Sequence, residues 1–101
     1  MTPEEWRERL LADVVHLLQF ESEAGKIDRR DGGIRAGPYT VVTTPSDDGK
    51  RITAGLTKDE LGPVEDSTYT TSLDEDPITI AYALATRLGF YFDSIKKPEP
   101  G

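Results

Sequence analysis

Hydrophobic periodicity changes twice along this chain, and these two changes constrain the fold more than any other feature. Near both ends of the chain, apolar residues recur every three or four positions, as in amphipathic helices. Between these segments the apolar residues alternate with threonines, as in half-exposed strands. The order of elements therefore predicts an α+β domain in which two helices cover one face of an antiparallel sheet.

The first helix is predicted over residues 3–23. Thr2 and Glu5 stand three residues apart in a capping-box pattern, and Pro3 fits the first helical position. At about 100° per residue, the apolar side chains that follow share one stripe about 140° wide. These residues are Trp6, Leu10, Leu11, Val14, Leu17 and Leu18. We expect this stripe to face the core, and Gly25 to end the helix.

The next segment is predicted to contain a loop and then a β-hairpin. Residues 24–37 carry four glycines and no periodicity, so we expect a loop there. The runs 39–44 and 51–56 alternate on either side of Asp48-Gly49, a pattern typical of a hairpin. This hairpin supplies two strands of the predicted sheet.

A third strand is predicted over residues 67–73, where threonines again alternate with larger side chains. Between the hairpin and this strand, Thr57 and Glu60 form a second capping-box pattern, which Gly62-Pro63 closes. We therefore expect one short helical turn there, and a sheet of three strands.

The second helix is predicted from Pro77 to about Asp93, with Asp76 as its N-cap. Its apolar arc is about 200° wide, which is more than one partner helix normally covers. We expect the helix to pack on the sheet and on the first helix. Together these elements predict a single domain over residues 1–95, followed by a flexible or extended tail over residues 96–101.

Small residues recur every four positions along the second helix, at Ala81, Ala85 and Gly89. They form one ridge, and such a ridge lets another backbone approach closely. The ridge packs either against the first helix or against a second copy of the chain. Phe90 lies opposite the main apolar stripe, so we expect it in an exposed contact patch.

Composition argues against several classes of protein. The 101 residues include 12 basic and 19 acidic ones, and this net charge of −7 disfavours a nucleic-acid binder. Because there is no cysteine, a thiolate nucleophile and a Cys-type zinc site are excluded. No apolar run reaches the roughly 18 residues of a membrane span, and the acidic N-terminus does not resemble a signal peptide. We expect a cytoplasmic protein, or one incorporated in an assembled particle, that contacts neither membrane nor nucleic acid directly.

Catalytic motifs do not emerge from the sequence. His16 is the only histidine and has no recognisable partner for acid–base chemistry or zinc binding. Gly32 and Gly37 have the spacing of a phosphate-binding loop, but Pro38-Tyr39 follows where Lys-Ser/Thr is needed. The G-x-S-x-G motif of serine hydrolases is also missing. We therefore predict no catalytic residue, no cofactor and no metal site, and an enzyme would need a site shared between subunits.

Charge is concentrated in two segments of opposite sign. Residues 57–76 contain seven carboxylates against the single cation Lys58, a net charge of −6. Calcium loops have a defined ligand pattern that this segment lacks, whereas a partner with a basic surface would suit it. The arginines of the 24–37 segment either pair with the chain's own carboxylates or bind an external anion or protein.

The function predicted from these observations is a non-catalytic protein-interaction module of the inhibitor, immunity or adaptor kind. It would bind a protein with a basic surface through its acidic segment. The alternative is a structural subunit of a homo-oligomer or a virion-type assembly. The predicted partner-binding residues are Arg29, Arg30, Arg35, Asp59, Glu60, Glu65, Asp66, Asp74, Glu75 and Phe90; the predicted helix-packing or oligomer residues are Ala81, Ala85 and Gly89.

Overall fold

The computed structural model describes residues 1–18, 27–30 and 33–96, and their side chains except at 27–30 and 93–96. Two helices enclose a run of strands in the chain order. The helices are α1, Pro3–Leu17, and α2, Ile78–Lys96. The strands are β1, Ile27–Arg30; β2, Gly33–Ala36; β3, Tyr39–Pro45; β4, Arg51–Lys58; and β5, Gly62–Ser72.

The strands form one antiparallel sheet in which each strand pairs with its neighbours in sequence, in the order β1-β2-β3-β4-β5. This arrangement confirms the α+β fold with a helix at each end of the described chain. The sheet has five strands where three were predicted. Since every connection is a hairpin, β1 and β5 are its two edges.

Both helices pack on one face of the sheet, and the core lies between the two layers. The sheet side chains that turn toward the helices are almost fully buried: Ile34, Ala36, Val41, Ile52, Ala54 and Leu56. The opposite face carries mostly threonines, among them Thr44, Thr53 and Thr70, which stand side by side on three strands. The period-2 alternation in the sequence thus separates a core face from an open face.

Both predicted helix caps are confirmed. Thr2 Oγ1 accepts from the Glu5 N–H at 3.1 Å, and Glu5 Oε1 accepts from the Thr2 N–H at 3.3 Å. Asp76 Oδ1 accepts from the Ile78 N–H at 2.9 Å. Helix α1 ends at Leu17, and the last residues of the predicted helix, 19–23, lie outside the described residues.

The loop predicted over residues 24–37 is wrong for the parts that the structure describes. Strands β1 and β2 form a hairpin there, and Gly37-Pro38 is the turn between β2 and β3. Ile34 and Ala36 alternate with Arg35, but a strand of only four residues between glycines carries little periodicity. Residues 33–36 form a strand because they pair with β3, and Ile34 lies beside Val41 on the core face.

The helical turn predicted over residues 57–63 is also wrong. Thr57 and Lys58 continue β4 and pair with β3, so the ladder of backbone hydrogen bonds outweighs the local capping pattern. Glu60 has a φ of 71° and Gly62 a φ of 83°, values that do not occur in a right-handed helix. Residues 59–61 are a tight turn, and β5 begins at Gly62, five residues before the predicted third strand.

Candidate functional site

The acidic residues of the 57–76 segment are arranged along the outer strand β5. Asp59 and Glu60 lie in the turn before the strand, Glu65 and Asp66 lie within it, and Asp74, Glu75 and Asp76 follow it. All seven are exposed. Because β5 is an edge and is eleven residues long, the segment forms acidic clusters spread along one edge instead of one continuous acidic face.

The first half of β5 is irregular. Gly55 pairs with Thr68 and Thr57 pairs with Pro63, so residues 64–67 of β5 lie opposite Leu56 alone. Asp66 adopts a positive φ of 62° within this bulge. A bulge with exposed carboxylates prevents regular pairing with another strand, which is a common way to protect a sheet edge.

Two side chains hold the bulge from the helix side of the sheet. Arg87 of α2 lies within 3.5 Å of the Glu65 carbonyl oxygen and donates to it through Nη2. The Tyr69 hydroxyl donates to the Asp66 carbonyl oxygen at 3.3 Å. Both contacts go to the backbone, so the carboxylates of Glu65 and Asp66 stay free of ion pairs in the described part of the chain.

The second half of β5 is regular and leaves hydrogen-bonding groups free. The Leu73 N–H donates to the Lys50 carbonyl oxygen at 3.1 Å. Because the backbone groups of an antiparallel strand alternate in direction, those of Thr71 and Tyr69 also point toward β4. The backbone groups of Thr68 and Thr70 therefore point to the open edge. Sequence reasoning did not identify this feature, although the last strand of an open sheet built from consecutive hairpins lies at an edge.

A cleft of about 490 Å³ separates this half of β5 from the first turns of α2. Tyr69 and Thr71 line it from the strand, and Thr79 and Ile80 line it from the helix. Glu75 and Asp76 close the end where the chain passes from β5 to α2. The edge, the cleft and the carboxylates together form the candidate site.

Arg35 is paired within the chain. Its guanidinium forms an ion pair with Asp59, and both side chains are nearly half exposed. This pairing fits the interpretation in which the arginines bind the protein's own carboxylates, and it leaves Asp59 less available to a partner. The side chains of Arg29 and Arg30 lie outside the described residues, although their backbones form part of β1.

The ridge of small residues on α2 is divided between two environments. Ala81 and Ala85 are buried in the core that α1 and the sheet share with α2. In the described part of the chain, nothing lies within 4 Å of a Cβ placed on Gly89. Close packing therefore does not account for the glycine.

The outward side of α2 is unusually poor in charge. Phe90 is 67% exposed and Tyr82 is 58% exposed, as predicted for Phe90. Arg87 is the one charged residue between positions 78 and 92. This face is continuous with the cleft, because Thr79 lies one turn before Tyr82.

No cluster of three or more potential ligands for a metal ion occurs among the described residues. His16 lies exposed in the last turn of α1. Neither described helix is long and apolar enough to cross a membrane. The candidate site consists of the backbone groups of the β5 edge and of the carboxylates and hydroxyls that line the cleft.

The fold and this surface define the class of the protein as a two-layer α+β domain with one acidic edge strand. Comparison with protein-family models, with curated proteins and with solved structures gave no match to this chain. Its function is therefore inferred from the geometry alone.

Proposed function

We propose that this protein is a non-catalytic protein-interaction module that binds a partner with a basic surface through the acidic β5 edge. The supporting observation is that Glu60, Glu65, Asp66, Asp74 and Glu75 are exposed and have no ion pair in the described part of the chain. Clustered charges of one sign attract a complementary surface over several ångströms and orient it on approach. Inhibitors, immunity proteins and adaptors that cover basic surfaces act in this way, in the cytoplasm or within an assembled particle.

The test compares matched baits in affinity purification from the native source. One double variant, Asp74→Asn/Glu75→Gln, and another, Glu65→Gln/Asp66→Asn, each remove two charges from the β5 edge. The control, Glu4→Gln/Asp13→Asn, removes two charges from α1. We expect the partner to be retained by the wild type and the control and to be depleted with either edge variant.

The salt dependence of the same interaction is a second measurement. Binding through exposed charges weakens as the Debye length falls from about 10 Å at 0.1 M salt to about 3 Å at 1 M. An affinity that does not change between these conditions, or edge variants that bind as tightly as the control, would contradict the proposal.

A second candidate function is a subunit of a homo-oligomer that associates through the outward face of α2. The observation that favours it is the exposure of Tyr82 and Phe90 on a helix face with a single charge. Aromatic residues are enriched and charged residues depleted at the centres of protein interfaces. The same face of a second copy is a suitable partner, because two such faces could pack together without burying a cluster of like charges.

Light scattering over a wide range of concentration tests self-association. The Phe90→Glu variant should reduce the average mass, while Val42→Glu should not, because Val42 is exposed on the opposite side of the molecule. A wild-type monomer at the highest concentration would rule out this candidate.

A further inference from the structure

We propose that the partner contributes an extended basic segment, which adds to β5 as a further strand along residues 68–72 and lies in the cleft beside α2. This inference rests on the proposed function and specifies how the partner binds. Strand addition to an exposed edge is an established mode of peptide recognition, in which backbone hydrogen bonds provide affinity and pockets provide specificity.

The backbone of β5 offers a matching set of donors and acceptors. Thr68 and Thr70 each direct an N–H and a C=O to the open edge, and Ser72 directs its N–H there. The Ser72 carbonyl is already occupied, because it accepts from the Glu75 N–H at 3.1 Å. The regular stretch therefore ends at Ser72, and the bulge before Thr68 limits it at the other end.

The cleft gives the added segment a wall on the helix side. Side chains of a strand alternate between the two faces, so every second side chain of the partner would enter the cleft. Thr71, Thr79 and Ile80 make this wall partly hydroxyl and partly apolar. Small branched side chains such as valine would fit there, whereas the remaining side chains of the segment would lie on the open face.

Charge determines which segment is favoured. Glu65 and Asp66 precede the regular stretch and Asp74 and Glu75 follow it, while no lysine or arginine occurs from 59 to 76. The guanidinium of Arg87 is engaged with the Glu65 carbonyl, and the nearby cation Arg51 pairs with Ser72 from the neighbouring strand β4. A segment that carries lysine or arginine at its ends would place cations against both carboxylate pairs.

The same carboxylates disfavour a second copy of this chain at the edge. If two β5 strands paired antiparallel about Thr70, the Glu65–Asp66 end of one copy would approach the Asp74–Glu75 end of the other. Like charges brought together at both ends of such a pair would destabilise it. The edge is therefore protected against self-association but open to a basic strand.

The test uses a synthetic eight-residue peptide of alternating lysine and valine, with both ends blocked, and follows the backbone amides of the full chain by NMR. We expect the amides of Thr68, Thr70 and Ser72 to shift and to exchange more slowly with solvent when the peptide binds. The same peptide is also made with N-methylated lysines and, separately, with N-methylated valines, each of which keeps the charge and loses alternate donors. Only one of the two versions loses the N–H groups that face β5, and we expect that version to bind at least about tenfold more weakly than the other.

A matched pair of variants isolates the backbone contribution of the edge. Thr70→Pro removes an N–H that faces the open edge and leaves the ladder with β4 intact, which is where proline is tolerated in a sheet. Thr70→Ala loses the same hydroxyl, which contacts Thr53 Oγ1 at 2.9 Å, but keeps the N–H. We expect Thr70→Pro to weaken peptide binding about tenfold or more and Thr70→Ala to have little effect.

The outcomes separate this inference from the proposed function. If Thr70→Pro and Thr70→Ala bind equally while the Asp74→Asn/Glu75→Gln variant binds weakly, strand addition is wrong but the acidic interaction surface stands. Unchanged edge amides at saturating peptide would likewise overturn strand addition. A wild-type dimer that Thr70→Pro dissociates would show that the occupant is a second copy.

Discussion

Gly37 shows how one residue decides the geometry between two strands. It has a φ of 61° and opens the two-residue turn between β2 and β3, where hairpins favour glycine. A Cβ at this position would lie 2.6 Å from Cζ of Tyr91, so the site excludes a side chain on two grounds. Tyr91 in turn packs edge to face on Tyr39 at 5.3 Å, which connects the turn to α2.

Gly37→Ala is expected to lower the free energy of unfolding by about 2–4 kcal/mol, from the positive φ and the collision with the Tyr91 ring. Gly49→Ala is the matched control, because Gly49 has a φ of 71° but nothing within 4 Å of its added Cβ. It should cost only the conformational part, about 1–2 kcal/mol. Equal losses in urea unfolding would show that Tyr91 moves aside freely.

At the scale of the element, the β3–β4 hairpin is held by side chains of its own turn. Asp48 Oδ1 accepts from the Ser46 hydroxyl at 2.5 Å and from the Lys50 N–H at 3.0 Å. Ser46 Oγ also accepts from the Arg51 N–H at 3.0 Å. These hydrogen bonds lower the pKa of the Asp48 carboxyl from its ordinary value; the bond from the Ser46 hydroxyl has the largest effect, and the bond from the Lys50 N–H has the next largest.

The hairpin is therefore expected to lose stability in acid. The pKa of the Asp48 carboxyl is lower in the folded protein than in the unfolded chain. Its hydrogen bonds therefore stabilise the fold fully at pH values above the pKa of the unfolded chain, and this stabilisation is lost as the pH falls through the pKa of the folded protein. Asp48→Asn should destabilise the protein at neutral pH, and its difference from the wild type should shrink toward low pH. Urea unfolding at several pH values measures this difference.

Asp47→Asn is the control for the hairpin, since Asp47 lies in the same turn and its carboxylate accepts no hydrogen bond in the described part of the chain. It removes an equal charge, so an effect common to both variants reflects net charge alone. If both variants lose the same stability at every pH, the hydrogen bonds of Asp48 contribute nothing specific.

At the scale of the whole molecule, Trp6 joins the two ends of the described chain. Its side chain is fully buried in the core, and Nε1 donates to the Glu75 carbonyl oxygen at 3.0 Å. The contact fixes the loop between β5 and α2 against the first turn of α1. The acidic end of the candidate site is therefore positioned by a residue 69 positions away in sequence.

Trp6→Phe should lower the free energy of unfolding by about 2–4 kcal/mol, because it leaves a cavity and an unpaired carbonyl at Glu75. Phe92→Leu, which also removes ring volume from the buried core but no donor, is the comparison. Only Trp6→Phe should speed amide exchange at residues 74–76. Circular dichroism gives the stabilities, because the sole tryptophan is lost. Equal exchange in the two variants would contradict a positioning role for Trp6.

The elements with strong local signals were predictable from sequence. The capping box at Thr2, the Asp76 cap and the hairpin around Asp48-Gly49 depend on neighbours within a few positions, so the pattern and the structure agree. The short strand β2 and the end of β4 were not predictable. There, long-range pairing between strands overrides glycine-rich composition and a local capping pattern.

The sequence by itself determined the α+β class, the helices at either end, the core stripe and the amount of acidic charge on the 57–76 segment. Only the tertiary structure decided how that charge is arranged. It placed β5 at an edge, divided the strand into a bulge and a regular half, and paired Asp59 with Arg35. The physical reason is that composition and periodicity are local properties, whereas the free side of a strand depends on which partners the rest of the chain supplies.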